Sequence, residues 1–402
     1  MGAPTAHVLD TSLRPEIELL LCCVDSTVDR AKAERIGRLL RVDLDWAYLL
    51  QTAEQHGVTP LLSRSLRTIS PHDVPQAILE QLQHHSRTNA ARNLFLTDKL
   101  LNILRLFEAH GIPALPYKGP LLTASLYGNL ALRDFADLDL LVHERDYQRT
   151  QHLLRTNGYR LVNSFEQEST FIDGSGMITI DLHRRMTPRE FPVPLQFEQI
   201  WERRQQTTLL GTPVPTLSPE DTLLMLAVQI TKDAGTRYLQ LSRICDLAQL
   251  LSAYPHLDLT AMLRRAKALG GERMMLFSVS LAHNLLGMPL PHDIVDEMRA
   301  QPIIDPFVEF ARQQLFNGRA PNANDRQSIE QFRRFVRERL RDRLHPYYRR
   351  YVQAVFAPCF LDRQLVPLPE RFTFLYYGIR PIRLLCKYSL LLFRRHLGTK
   401  LC

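Results

Sequence analysis

At 402 residues the chain outgrows a single hydrophobic core, which stops enlarging at about 250–300 residues, so two or three domains are expected. A composition of 45% hydrophobic and 23% charged residues excludes a disordered chain, and 17 Gly with 25 Pro excludes a collagenous or low-complexity one. The formal net charge is +8, yet residues 331–402 hold 16 Lys and Arg against 4 Asp and Glu, while the preceding residues hold 34 against 38. The basic excess is a property of the tail, and an acidic body argues against nucleic acid as the main partner.

Six cysteines (Cys22, Cys23, Cys245, Cys359, Cys386 and Cys402) form no CxxC pair and no Cys/His cluster at zinc spacing. Free thiols in a reducing compartment are expected. The apolar run from Ile17 to Val24 is broken by Glu18 and is too short to span a membrane, so the expected location is the cytoplasm.

Pro15 to about His110 reads as helical. Asp45 is a good N-cap for WAYLLQTAEQHGV, which stops near Gly57. A connection from Ser65 to Pro75 leads to a long helix, Gln76 to His110, carried by Leu94, Leu96, Leu100, Leu101, Ile103, Leu104 and Phe107 at helical spacing. After Gly111 the pattern changes. Ile112 to Tyr117 is a short apolar run, and Lys118–Gly119–Pro120 opens a helix with Pro in its first turn. LDLLV, from Leu138, is a strand, and Arg145 to Thr156 is a helix. YRLVNS, STFID and MITIDLHRR are short strands, the last two joined by a turn at Asp173–Gly176. Helices resume at Ser218–Pro219–Glu220–Asp221, with Ser as cap and Asp221 where a capping box places an acid, and they run to a stop near Gly287. The fold class expected is α+β: a small mixed-sheet core at 111–200, a helical region at 1–110, a helical domain closing a cleft at 201–300, and a basic helical tail at 301–402.

Within the tail, Gln331 to Arg350 reads as a very basic helix ending near Pro346. Phe374 to His396 is apolar but is interrupted by Arg380, Pro381, Arg383 and Lys387, which disfavours a spanning helix. Basic residues beside Tyr, Leu and Phe suit peripheral contact with an anionic membrane surface at the inner membrane face. The plainer reading is a helix docked on the body with its arginines in water.

Two Asp-x-Asp motifs lie beside apolar residues. Asp43–Leu44–Asp45 immediately precedes a helix, where two acids favour the helix dipole and Asp45 caps the first turn. Asp137–Leu138–Asp139 opens a strand, so both carboxylates project to one face while Leu138 faces the other. Two acids side by side repel each other and need a cation, and oxygen ligands of this kind suit Mg²⁺. Asp181, between Ile180 and Leu182, is a third acid on an apolar strand. If its strand pairs beside the first, three carboxylates gather at one sheet face, as in two-metal phosphoryl-transfer sites. Lys118–Gly119 at a helix start is suited to a phosphate.

The run YKGPLLTASLYGNLALRDFADLDLLV from Tyr117, then IDLHRR, LSPEDTLLMLAVQITKDAGTRYLQLSRICDLAQLL and the earlier HGVTPLL resemble the nucleotidyltransferase-like family of the DNA polymerase β superfold. They are most similar to a bacterial branch with a lysine–glycine motif, an Arg before the DxD and an Asp-Leu-His strand. The resemblance covers roughly residues 15–300. It implies a transferase that moves an NMP group from an NTP to a hydroxyl acceptor on a protein, sugar or metabolite. Asp137, Asp139 and Asp181 would hold two Mg²⁺ ions, Lys118 and Gly119 would lie at the triphosphate, and Arg133, His183 and Lys232 would be further nucleotide-binding residues. Two departures stand out. Gly119–Pro120 replaces the glycine-serine pair of better-known members, and Gln229 stands where the branch tends to have His, which leaves the parts of Gln229, Lys232 and Arg237 open. Alternatives are an NTP-binding regulator that no longer transfers, or a membrane-surface accessory of polysaccharide or peptide biosynthesis. Arg133 is also placed to pair with Asp134 or Glu144, and Asp246 with Arg243 or a helix end.

Overall fold

The computed structural model describes residues 13–24, 29–187, 191, 193–236, 238–316, 323–339, 342, 355–357, 366 and 374–385. The chain divides into two compact units, one ending at Val336 and one beginning at Arg337.

The first unit opens with five helices: α1 (Pro15–Val24), α2 (Arg30–Leu39), α3 (Trp46–Gln55), α4 (Thr59–Ile69) and α5 (Gln76–Ala109). The starts of α2 and α3 are fixed by side chains that take up free helix amides. Asp29 accepts from Lys32 N at 2.8 Å, and Asp45 accepts from Tyr48 N at 3.0 Å, as its position in the sequence implies. The connection expected from Ser65 is shorter than the sequence suggests, because α4 continues to Ile69. Its serines are interior helix residues: Ser65 Oγ donates to the Cys23 carbonyl and Ser63 Oγ to the Leu82 carbonyl. Polar side chains that satisfy themselves on neighbouring backbone can be buried in a helix at little cost.

The sheet follows: β1 (Ala114–Pro116), α6 (Gly119–Tyr127), β2 (Asp137–Val142), α7 (Tyr147–Thr156), β3 (Arg160–Ser164), β4 (Glu168–Ile172) and β5 (Thr179–His183). The strand order is β1-β2-β5-β4-β3, with β2 and β5 parallel and the other pairs antiparallel. Leu138, Leu140 and Val142 of β2 and Ile180 and Leu182 of β5 face one side and share a core with Leu96, Leu100 and Phe107 of α5 and with Tyr147 and Leu154 of α7. The period-two alternation therefore sends Asp137, Asp139, Asp181 and His183 to the opposite face.

The unit closes with α8 (Phe197–Arg203), the hairpin β6 (Gln205–Leu209) and β7 (Thr212–Thr216), and then α9 (Pro219–Ala234), α10 (Leu241–Ala253), α11 (Leu259–Leu269), α12 (Glu272–Leu286), α13 (His292–Ala300), α14 (Asp305–Phe316) and α15 (Ala323–Phe335). The sequence reading lacks α8 and the hairpin. The hairpin turns on Leu210 (φ 47°) and Gly211 (φ 80°), and a leucine in the left-handed region is a poor signal for the turn it makes. Ser218 caps α9 through Asp221 N at 3.2 Å. The Asp221 carboxylate does not complete a capping box; it is fully buried and accepts from Arg203 (3.0 and 3.1 Å) and Arg265 (2.6 Å). Helices α9, α10 and α12 pack with the N-terminal helices in one large core.

The basic helix expected over 331–350 starts earlier and ends at Phe335 in α15; residues 340, 341 and 343–350 lie outside the described set. In the second unit residues 376–385 are helical, and Tyr376 donates to the Val366 carbonyl at 2.8 Å. The segment 386–396 lies outside the described residues. Among the described residues no helix is long and apolar enough to cross a membrane.

Asp221 holds two guanidinium groups from a fully buried position, and its loss breaks three charge-assisted hydrogen bonds. Asp221→Ala is expected to cost about 3–5 kcal/mol in urea unfolding. Arg203→Ala, at a side chain 39% exposed, is expected to cost about 1 kcal/mol or less.

Candidate active site

The site begins where β1 turns into α6. Lys118 is extended, and Gly119 follows with φ +49°. A Cβ on Gly119 would meet the Asp137 carbonyl oxygen at 3.2 Å and the Phe135 ring at 3.7 Å. Glycine is required here by conformation and by close approach. The turn delivers Lys118 to β2, where its Nζ donates to Asp139 Oδ1 at 2.9 Å.

Parallel pairing of β2 with β5 sets Asp139 directly opposite Asp181, with Asp137 opposite Thr179. Asp139 is 5% exposed, and its Oδ1 also receives His183 Nε2 at 3.1 Å. The other His183 nitrogen, Nδ1, lies 3.4 Å from Glu168 on β4, and the ring stands edge-on to Tyr117 at 5.5 Å. Thr170, opposite Asp181 on β4, donates to Asp181 Oδ1 at 2.8 Å. These neighbours separate the three acids. Burial pushes the Asp139 carboxyl up, but the Lys118 charge and the His183 hydrogen bond outweigh it and hold the group well below the usual carboxylate range. Asp137 is raised by the Asp139 charge and then by burial. Asp181 is raised by burial and by the Asp139 charge, against the Thr170 hydrogen bond.

Asp139, Asp181 and His183 each present a ligand atom within 4.8 Å of the others. Two carboxylate oxygens and one imidazole nitrogen fit a divalent cation, and the nitrogen widens the choice from Mg²⁺ towards Mn²⁺. Asp137, expected beside them, contributes from the strand end rather than to this cluster.

Arg133 is buried and pairs with neither Asp134 nor Glu144. Its Nε lies 3.0 Å from both oxygens of Asp246 on α10, which also accepts from Tyr127 at 3.0 Å. Asp246 is thus held by Arg133 and not by Arg243, and it ties the helical part of the unit to the strand that carries the acids. Asp134 instead faces His85, and Glu144 takes Arg184 and Arg185. Asn89 and Asn93 of α5 donate to the carbonyls of Leu130, Ala131 and Arg133, fixing the segment before β2.

A cavity of about 450 Å³ opens over these residues. The structure brings Lys118, Gly119, Arg133, Asp137 and Asp139 into its lining, with Asp181 and His183 joined to it through Asp139. Lys232, half-buried on α9, is not in the lining; Gln229 is bonded to Asp233, and Arg237 lies outside the described residues. The lining also includes Arg92 of α5 and Arg243 of α10, which the sequence reading did not select. No local motif marks either, because each reaches the cavity only through the packing of its helix. Asp43 and Asp45 are exposed at the start of α3, where Asp45 caps the helix.

Arg133 loses its only acidic hydrogen-bond partner among the described residues if Asp246 is removed. Asp246→Ala is expected to cost about 3–5 kcal/mol in chemical unfolding, whereas Asp43→Ala, at an exposed position, leaves the transition nearly unchanged.

No curated protein matches the chain. Among solved structures it is similar in part to the lincosamide antibiotic adenylyltransferase LnuA in its lincomycin-bound form (20% identity, 39% of this chain and 96% of that one, TM-score 0.31). It is also similar to the antibiotic-resistance factor ANT(2'')-Ia (14% identity, 42% of this chain and 89% of that one, TM-score 0.33). A third is a nucleotidyltransferase-like protein from Paracoccidioides brasiliensis (14% identity, 54% of this chain and 92% of that one, TM-score 0.28). Residues 43–287, more than half of the chain and all of the elements that build the site, match the family described as "Uncharacterised nucleotidyltransferase". The chain belongs to that nucleotidyltransferase family.

Proposed function

We propose that the protein transfers an NMP group from an NTP to a hydroxyl acceptor with release of pyrophosphate, using the cavity over β2 and β5. The observation that carries this reading is the register: Asp139 faces Asp181 across adjacent parallel strands, Asp137 stands on the same side, and Lys118–Gly119 adjoins them. Leu138, Leu140, Ile180 and Leu182, which flank the acids, pack on the other face, while Leu141 at the far end of β2 is buried in the helical core.

Asp137, Asp139 and Asp181 are the residues that would hold two divalent cations, with Mg²⁺ the expected ion. When bound, such ions neutralise phosphate charge and polarise the reacting oxygens. The residues of the chain do the rest. Gly119 keeps the start of α6 free of a side chain, and Lys118 supplies a point charge to the phosphates. Asp181 orients the attacking hydroxyl and accepts its proton. The new bond forms between that oxygen and the α-phosphorus, and the bond from the α-phosphorus to the bridging oxygen of pyrophosphate breaks. Positioning and charge neutralisation supply the rate. Cys22, Cys23 and Cys245 are free buried thiols, which supports a reducing, cytoplasmic location.

In the second unit Phe374, Tyr377, Ile382 and Leu385 are exposed on or beside the helix that carries Arg380 and Arg383. This supports peripheral membrane contact as an addition to catalysis. The chain is then expected to float with vesicles containing anionic lipid and to stop doing so when 374–396 is deleted.

A thermal-shift panel of the four NTPs, with Mg²⁺ and with EDTA, tests the donor site. One nucleotide at about 100 times its Kd should stabilise the wild type by about 2.7 kcal/mol with Mg²⁺, and by clearly less with EDTA. Asp139→Asn should lose that shift. An equal shift in the variant, or none in the wild type, rejects the reading. Lys118→Met gives a second check with opposite signs. It removes the ammonium that occupies Asp139, so Mn²⁺ titrated without nucleotide should bind more tightly and nucleotide more weakly.

A further inference from the structure

We infer that a second wall of the cavity, formed by Arg243 of α10 and Arg92 of α5, grips the phosphate tail of the donor, so that the ligand is selected as a polyphosphate before its base is read. This rests on the reading of the cavity as a nucleotide site and adds the residues that complete it.

The charges around the cavity leave Arg92 over, and leave Arg243 with an ion pair but no hydrogen bond to its Nε. Lys118 is engaged by Asp139, Arg133 by Asp246, and His85 lies 3.6 Å from Asp134. Arg92 is exposed to the cavity and has no acidic partner among the described residues. Arg243 is three-quarters buried, and its Nε is buried without a hydrogen bond. The nearest acid, Asp233, lies 3.6 Å away and is already bonded by Gln229 Nε2 at 2.9 and 3.0 Å. Buried guanidinium N–H groups are almost always paired, and one left unpaired beside an open cavity calls for an acceptor from outside the chain.

The position of Arg243 defines that acceptor. It belongs to the first turn of α10, where the helix dipole adds positive potential. It lines the same cavity as Lys118, Gly119, Asp137 and Asp139. An anion lying between Lys118–Gly119 and Arg243 must be long enough to touch both walls and carry several charges. Inorganic or nucleoside triphosphate has that chemistry, and orthophosphate does not.

Calorimetric titration of inorganic triphosphate, pyrophosphate and orthophosphate in EDTA isolates the wall from the metal. Wild type should bind in that order, triphosphate most tightly. Arg243→Gln should weaken triphosphate about tenfold to a hundredfold, the range for a lost charge-assisted hydrogen bond, and leave orthophosphate nearly unchanged. Arg243→Lys, which keeps the charge but loses the fork, should fall between. Arg92→Gln, at an exposed position that does not affect folding, should weaken triphosphate severalfold. Equal binding of the three anions by wild type, or triphosphate binding unaltered in both Arg→Gln variants, overturns the inference. If that happens while the Mg²⁺-dependent NTP shift is present in wild type and absent in Asp139→Asn, only the wall is wrong; if that shift is missing as well, the nucleotide reading falls with it.

Discussion

Two carboxylates held side by side over an apolar sheet repel each other and resist burial, and the site is organised around the answer to that repulsion. Asp139 and Asp181 are opposed because β2 and β5 run parallel in one register. A shift of one residue would send both acids into the core and Leu138, Leu140 and Leu182 into the cavity. The register is therefore pinned by apolar burial on the far face, and the acids are held in place by packing they do not themselves contribute to. Lys118 and His183 supply the positive charge and donors that make this tolerable in the absence of a ligand. The cost of assembling the acids is met by groups on β5 and at the start of α6, and those groups are the ones available to move when a ligand with its own charge arrives.

The second constraint is the bond between Arg133 and Asp246, which lie 113 residues apart in sequence. One end precedes β2, the other lies in α10, and Tyr127 at the end of α6 joins the same carboxylate. Three elements that bound the cavity thus meet at one fully buried acid. Asn89 and Asn93 of α5 hold the backbone of the same segment from the other side. Fixing Arg133 in this way spends Asp246, and Arg243, one helical turn earlier on α10, lines the cavity with only the more distant Asp233 beside it. The same pairing that orders the wall also leaves a cation in the cavity that Asp137 and Asp139 line.

These relations divide what the sequence discloses from what it hides. The acids on β2 and β5, the lysine–glycine turn and the cap at Ser218 were legible because each depends on neighbours two to four residues away: strand alternation, a positive φ at a helix start, a side chain reaching its own helix. The partner of Arg133 was not, since nothing within several residues of Arg133 distinguishes Asp246 from Asp134 or Glu144. Arg92 and Arg243 were hidden for the same reason. Each looks like a solvated helix charge until helix packing shows which face it lies on. Lys232 has the right charge, yet it is not in the lining of the cavity. The hairpin at Leu210–Gly211 was missed because a leucine at positive φ contradicts local preference for that turn.

The two Asp-x-Asp motifs carry the same lesson in its smallest form. Both are an acid, a leucine and an acid. Before α3 the chain is leaving a loop, Asp45 accepts from the amide of Tyr48, and both acids are exposed to solvent. At the start of β2 the intervening leucine is committed to the core, so its commitment forces both flanking acids to the other side. An α-helix start consumes carboxylates in capping, whereas a strand start projects them without partners in their own backbone. Chemistry therefore follows from the element that the motif opens, not from the motif. In the strand the partners must come from elsewhere, and Lys118, His183 and Arg243 come from three separate parts of the chain to surround what a helix would have satisfied alone.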